Sequence, residues 1–424
     1  MSAGGQEPDN FISTSSRDAR AVEVLNEIFV DAANQGASDV HFEDFDGGMR
    51  IRFRLNGSLH EHITVDRSTS LDMEAKIRMR AKLSLTERRG GLDGRLFLRI
   101  EDRTVDVRVS ILPIQTGQSI VCRLLDQANA TRKLEDIHMF PSVRVALEQQ
   151  LANPDGLVLV TGPTGSGKTS TLYAVLNNLN NIDTKIITVE DPVEYRLELA
   201  CQVGIQRGMT FGSALRSILR QDPDIILVGE IRDAETAKIA LQAAMTGHLV
   251  MSTLHANSAP TTLTRMVDLG VDPYTLGAAL RCVIAQRLVR KLCSCATPVE
   301  VDETTQAWLT KHSIDWEGKQ YFGPVGCPEC HGSGYKGRLP VMEMIVSSKE
   351  VRAAVDKNDR HAILAAARMQ PQFETLGESA VRMCSEGLTS LMEAQRIASD
   401  DLAEDPVAAV QELSVDEPLA GEPL

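Results

Sequence analysis

Between an apolar run, Leu157-Val-Leu-Val160, and a stretch of helical periodicity, Ser170–Leu179, the chain carries Gly162-Pro163-Thr164-Gly165-Ser166-Gly167-Lys168-Thr169. This is G-x-x-x-x-G-K-[ST] in the setting that gives the pattern physical meaning, a buried strand running into a helix. The glycines let the backbone curl until several N–H groups converge. The helix N-terminus adds the positive end of its dipole, and Lys168 supplies a mobile point charge. Such a loop is built to cradle the phosphates of a nucleotide, here ATP. Residues Gly162 to Thr169, with Ser170 behind them, form the expected binding set. Lys168 serves the β and γ phosphates, and the Thr169 hydroxyl is offered to Mg²⁺.

The surrounding rhythm agrees. Apolar runs at 185–189, 225–228 and 249–253 alternate with helical stretches at 170–179 and 233–246, the pattern of a parallel sheet buried on both faces. Ligands of such sheets bind at the carboxyl ends of the strands, so the residues there are the candidates. Asp224-Ile-Ile-Leu-Val-Gly-Glu230 ends in a carboxylate. The familiar acidic position falls on Gly229, so Glu230 suits a general base or water orienter; otherwise it is a solvated loop acid. Glu190, Asp191 and Glu194 cluster after the second strand, where they hold Mg²⁺ through water or serve as loop and cap acids. His255 follows the fourth strand.

Upstream, residues 21–126 combine one helix-periodic segment with alternating stretches at 39–43, 49–55, 95–100 and 104–109. That is a small α+β domain with an antiparallel sheet covered on one face by helices. Asn56-Gly57 marks a tight hairpin turn. Residues 1–20 read as a flexible leader and 127–140 as a linker. The second domain spans 141–399, with a Cys- and Gly-rich part at 291–338 and a helical region at 346–399. Eight of the chain's fourteen excess negative charges fall after Ile397, so 400–424 is expected to be an acidic, solvated tail.

Neither a membrane-length apolar run nor a secretory signal is visible, so the chain is expected to remain in the cytosol with its eight cysteines reduced or bound to metal. Acidic balance and 4% aromatic content argue against direct nucleic-acid binding. Cys293-Ser-Cys295 and Cys327-Pro-Glu-Cys330 offer four thiolates for Zn²⁺, although C-x-C is one residue shorter than the usual knuckle. Cys122, Cys201, Cys282 and Cys384 read as buried small residues.

GPTGSGKT, TVEDPVEY (188–195), LRQDPDIILVGEIRDAETA (219–237) and TGHLVMSTLHAN (246–257) resemble the four nucleotide boxes of the secretion ATPase superfamily, in its GspE/PilB branch. These are the motors of type II secretion and type IV pilus assembly. The match continues through ASDVHFE (37–43), DGR (93–95), DVRVSILPIQTGQ (106–118), AQRLVRKLC (285–293) and GLTSLMEAQRI (387–397). The resemblance implies a PAS-like N-terminal domain, a RecA-like ATPase domain and a homo-hexameric ring. The ring would act on an inner-membrane platform protein, peripheral to the membrane, and through it on pilin or pseudopilin.

It further implies that Glu230 is the catalytic glutamate, that Glu190, Asp191 and Glu194 lie in an Asp box, and that His248 and His255 lie in a His box. Arg95 and Arg108 would reach the nucleotide from the N-terminal domain. The basic stretch 76–89 becomes an inter-domain or inter-subunit face; the alternative is a solvated helix surface. Secretion and pilus-extension motors often carry a further N-terminal domain, for which the chain starts too close to the PAS-like segment. Retraction motors usually lack the cysteine pairs. A retraction motor, a nucleic-acid-stimulated RecA-like ATPase and a non-hydrolysing scaffold are the rival readings.

Overall fold

The computed structural model describes residues 16–100, 103–126, 131–311, 314 and 316–402. Residues 1–15 of the leader, 127–130 of the linker and 403–424 of the acidic tail lie outside these. The chain forms two compact units. One runs to Thr131 and takes in Glu194–Arg196; the other comprises Arg132–Val193 and the chain from Leu197 on.

The first unit is built from α1 (Ser16–Asn34), β1 (Asp39–Phe45), β2 (Gly48–Leu55), β3 (Ser58–Asp66), α2 (Arg67–Arg80), β4 (Leu92–Ile100), β5 (Arg103–Ile114) and β6 (Gly117–Asp126). The strands make one sheet in the order β3-β2-β1-β6-β5-β4, antiparallel throughout. Leu25, Ile28, Phe29 and Ala32 form the buried stripe of α1 and join Phe42, Ile51 and Phe53 in one core. The helix starts at Ser16 rather than at Ala21, where the apolar periodicity begins. Asn56 and Gly57 turn β2 into β3 with φ of 52° and 92°, the two positive values a two-residue hairpin turn demands. The strand that follows, β3, has no fully buried residue, so its alternation is the weakest in the sheet.

The basic stretch 76–89 is not a single face. Arg78 is buried, its Nε 2.8 Å from Glu74 Oε1 and its Nη1 2.8 Å from the Ser84 carbonyl. Arg88 closes on the same Glu74 carboxylate. These two arginines pin the loop after α2 to the helix.

The second unit begins with α3 (Pro141–Leu151), β7 (Gly156–Thr161), α4 (Lys168–Leu179), β8 (Ile186–Glu190), β9 (Cys201–Gly204), α5 (Phe211–Ile218), β10 (Ile225–Val228), α6 (Ala234–Met245) and β11 (Leu249–Leu254). It continues with α7 (Ala259–Asp268), α8 (Pro273–Ala279), β12 (Leu280–Leu292), β13 (Thr297–Val299), α9 (Glu303–Lys311), β14 (Tyr321–Gly323), β15 (Tyr335–Val346), α10 (Lys349–Asp356), α11 (Arg360–Arg368), α12 (Leu376–Ser385) and α13 (Leu391–Leu402). The main sheet has the order β15-β12-β7-β11-β10-β8-β9. It is parallel except for the β12–β15 pair. Every residue of β7, β8, β10 and β11 is buried, as four near-continuous apolar runs predict. Side-chain caps fix where the helices begin: Asp233 accepts from Thr236 N at 2.8 Å, and Ser258 from Thr261 N at 3.3 Å.

Cys122, Cys282 and Cys384 are buried as expected, but Cys201 is exposed, because β9 is the sheet's edge strand. Helix α13 continues to Leu402, two residues beyond the expected start of the acidic tail. Among the described residues, no helix is long and apolar enough to cross a membrane.

Candidate nucleotide site and cysteine cluster

The loop Gly162–Gly167 leaves the carboxyl end of β7 and enters α4. Gly167 stands at the helix N-cap with φ 86°, and a Cβ there would meet the Gln286 amide nitrogen at 2.8 Å. Left-handed backbone and close approach together exclude a side chain. Lys168 is buried, with Nζ donating to the Gly162 and Pro163 carbonyls at 2.8 and 3.0 Å. Burial pulls its pKa down to about 8; nearby Glu230 opposes that shift and Arg287 adds to it. Thr169 is exposed beside it.

The neighbouring strand ends converge on this loop. Gly229 packs closely on β8, where a Cβ would meet the Val189 carbonyl oxygen at 3.1 Å, and the carboxylate follows one residue later. Glu230 is mostly buried, paired with Arg232 and 3.7 Å from His255 Nε2. Thr253 Oγ1 donates to the Gly229 carbonyl at 2.7 Å and Ser252 Oγ to that of Val228 at 2.8 Å. These two hydroxyls lock β10 to β11 directly beneath Glu230 and His255.

The acidic residues at the end of β8 and after it do not form one group. Glu190 is buried, accepting from Tyr173 Oη and Thr188 Oγ1, both at 2.6 Å. Asp191 is exposed. Glu194 belongs to the first unit, where it accepts from Arg108 Nη1 at 3.2 Å. The expected three-carboxylate cluster is therefore replaced by three separate environments. His248 also stands apart. It precedes β11, and its carbonyl accepts from Gly156 N at the start of β7. At about 3.3 Å per residue, the length of β11 separates it from His255. Its Nδ1 lies 3.0 Å from the Ala243 carbonyl, the C-terminal end of α6.

In the first unit, Arg95 and Arg108 face each other across β4 and β5, and Arg108 in turn pairs in register with Arg123. Like charges directly opposite on a sheet repel, and carboxylates offset this. Asp106 binds Arg95 and raises its pKa, and Asp39 lies 2.9 Å from Arg123 Nε.

Sequence reasoning missed Gln286 as a site residue. It follows the last β12–β7 pair, Ala285↔Thr161, and its buried amide bonds both the loop and α4. The one available signal was its position inside the AQRL segment.

The four cysteines do come together. Cys293 and Cys327 Sγ are 3.8 Å apart, Cys295 and Cys330 3.9 Å, and Cys327 and Cys330 3.7 Å. Thiolates around a tetrahedral metal at about 2.3 Å stand about 3.8 Å apart. All four sulfurs lie within 4.8 Å of one another, the only such group of His, Cys, Asp and Glu found among the described residues. The short C-x-C pair therefore reaches the geometry its length put in question. Burial works against the Cys330 thiolate, but the Cys327 and Gly334 N–H groups, each 3.1 Å from its sulfur, pull its pKa down to about 6.

The sequence profile of the type II/IV secretion system protein family matches residues 14–396. The chain belongs to that family. Among similar members, the type II secretion system protein E of Pectobacterium carotovorum is 42% identical over 91% of this chain and 77% of its own length. The type IV pilus assembly ATPase PilB of Acinetobacter baylyi is 40% identical over 90% and 67%. The family fold is seen in the Legionella pneumophila ATPase DotB, with TM-score 0.66 and 21% identity over 89% of this chain and 96% of that one. The pilus retraction motor PilT with bound ADP aligns with TM-score 0.62 and 25% identity, over 91% and 98%. In this family member the second unit has the parallel sheet and strand-end loop of a RecA-like ATPase domain.

Proposed function

We propose that this protein is an ATP-hydrolysing, hexameric motor of a type II secretion or type IV pilus assembly machine. The observation that carries the reading is the convergence of Lys168, Glu230 and His255 at the carboxyl edge of one sheet. Residues Gly162–Ser170 would hold the nucleotide phosphates and Lys168 would neutralise them, while the exposed Thr169 hydroxyl and Asp191 carboxylate would be available to Mg²⁺. Glu230 accepts a proton from the attacking water, and His255 orients that carboxylate. Glu190, accepting from Tyr173 and Thr188, supports the site from within the sheet.

Residues 21–126, within the first unit, are the PAS-like domain. Residues 141–399 are the ATPase domain, with its Cys-rich part at 291–338 and its helical part at 346–399. The ring works on an inner-membrane platform protein and, through it, on pilin or pseudopilin. The relatives that support an assembly or secretion role are 40 to 42% identical, against 25% for the retraction motor.

Deleting the gene and restoring wild type or Lys168→Ala separates the two branches. Loss of surface fibres with normal protein release identifies a pilus motor. Loss of release with fibres intact identifies a secretion motor. If neither changes, the motor reading fails.

Cys293, Cys295, Cys327 and Cys330 hold a structural Zn²⁺. Elemental analysis of the purified chain is expected to give about one zinc per chain. Cys327→Ser with Cys330→Ser is expected to lose it and to expose 291–338 to limited proteolysis. Wild type without metal, yet equally resistant, would refute the assignment.

A further inference from the structure

Strand β12 runs parallel to β7, and their last paired residues are Ala285 and Thr161. The residue after each is a site residue: Gly162 follows Thr161, and Gln286 follows Ala285. The Gln286 side chain is 1% exposed, and both ends of its amide are used. Nε2 donates to the Ser166 carbonyl at 2.8 Å, and Oε1 accepts from Thr171 Oγ1 at 2.8 Å. The orientation is forced, because a carbonyl only accepts. A glutamate would lose the donor, and a leucine both functions. Thr171 is itself buried, so one amide joins the phosphate loop, the first turn of α4 and the adjoining strand.

The bond to Ser166 has a directional consequence. In a trans peptide the C=O of one residue and the N–H of the next point in opposite directions. Holding the Ser166 carbonyl on the Gln286 amide therefore turns the Gly167 N–H away from that amide. Gly167 is free of the Cβ that would collide with Nε2, so peptide and amide fit without a gap. We infer that Gln286 is a positioning residue for nucleotide binding: it orients the Gly167 N–H toward the phosphates without touching them. This rests on the nucleotide reading above.

An N–H aimed at a phosphate oxygen throughout the reaction acts equally on bound substrate and on the transition state. Its loss raises KM and leaves kcat nearly unchanged. Hydrogen bonds to charged groups make that rise about tenfold or more. The experiment measures ADP affinity by titration calorimetry, and KM and kcat for MgATP, on full-length wild type, Gln286→Leu, Gln286→Glu and Thr171→Val. The far-ultraviolet spectrum and elution volume of each variant are recorded alongside.

Both Gln286 variants are expected to lose at least about tenfold in ADP affinity and to raise KM by a similar factor, with kcat within about twofold of wild type. Thr171→Val keeps the Ser166 bond, so its loss should be the smaller. Folded Gln286 variants that bind ADP like wild type, or that lose kcat with KM unchanged, overturn the inference. If Gln286→Leu does not fold, Gln286→Glu, which matches it in size, decides the matter by the same two criteria. Wild type that binds no ADP overturns the nucleotide reading itself, a result distinct from equal binding by wild type and variant.

Discussion

Glu230→Gln is expected to lower kcat for MgATP by about 10² to 10⁴ while leaving nucleotide affinity nearly intact. The substitution keeps the side chain's volume and removes its capacity to take a proton. The carboxylate follows β10, a strand buried at every position, so its backbone is fixed by packing. The Gly229 carbonyl just before it accepts from Thr253 at 2.7 Å. The glutamine should therefore stand where the glutamate stood, and the loss reports chemistry rather than disorder. His255, 3.7 Å from the carboxylate, makes a useful contrast. Its removal disturbs orientation and not the proton acceptor, so His255→Ala should cost less than Glu230→Gln. Steady-state turnover with a parallel fluorescent-nucleotide titration measures both quantities. A Glu230→Gln protein retaining more than about a tenth of wild-type turnover would show that another group takes the proton. A large fall in affinity instead would place Glu230 in ground-state binding.

What could be read from the sequence was whatever is local or periodic. The loop Gly162–Thr169 is a contiguous pattern, and the four buried strands are continuous apolar runs, so both the sheet and the residues at its carboxyl edge followed. Gln286 did not follow, because its partners Ser166 and Thr171 are 120 and 115 residues away and β12 mixes Arg and Gln among its apolar residues. Glu190, Asp191 and Glu194 are neighbours in sequence, but Tyr173 draws Glu190 inward and Arg108 holds Glu194. No pattern in 188–195 states either. His248 and His255 were grouped in one box by the resemblance, because a short segment carries both. That segment is a strand, and a strand delivers its two ends to opposite edges of the sheet. For the cysteines, spacing counted along the chain understated the fit. The shorter C-x-C pair lies just past the end of β12, where the Cys293 N–H donates to the Gly334 carbonyl and ties it to the loop that carries the other two cysteines.

Lys168 offers a test that links pH to binding. Its pKa of about 8 lies below the usual lysine value near 10.4, so the buried group is neutral in most molecules above pH 8. Phosphate oxygens favour the charged form, so nucleotide binding raises this pKa and draws a proton from solution. At pH 7 the lysine is already charged and takes up little. At pH 9 about nine-tenths of the molecules must gain a proton on binding. Affinity should accordingly be flat below pH 7.5 and fall above pH 8 with a slope approaching tenfold per unit. Calorimetry of ADP binding at pH 7 and pH 9, in pairs of buffers with different ionisation enthalpies, reads proton uptake directly. Lys168→Met should show no uptake from this group at pH 9. It should also bind at least about tenfold more weakly at pH 7, where the lost charge was fully present. Equal uptake by wild type and Lys168→Met would move the titration to another residue. Unchanged affinity at pH 7 would mean that Nζ stays with the Gly162 and Pro163 carbonyls when nucleotide is bound.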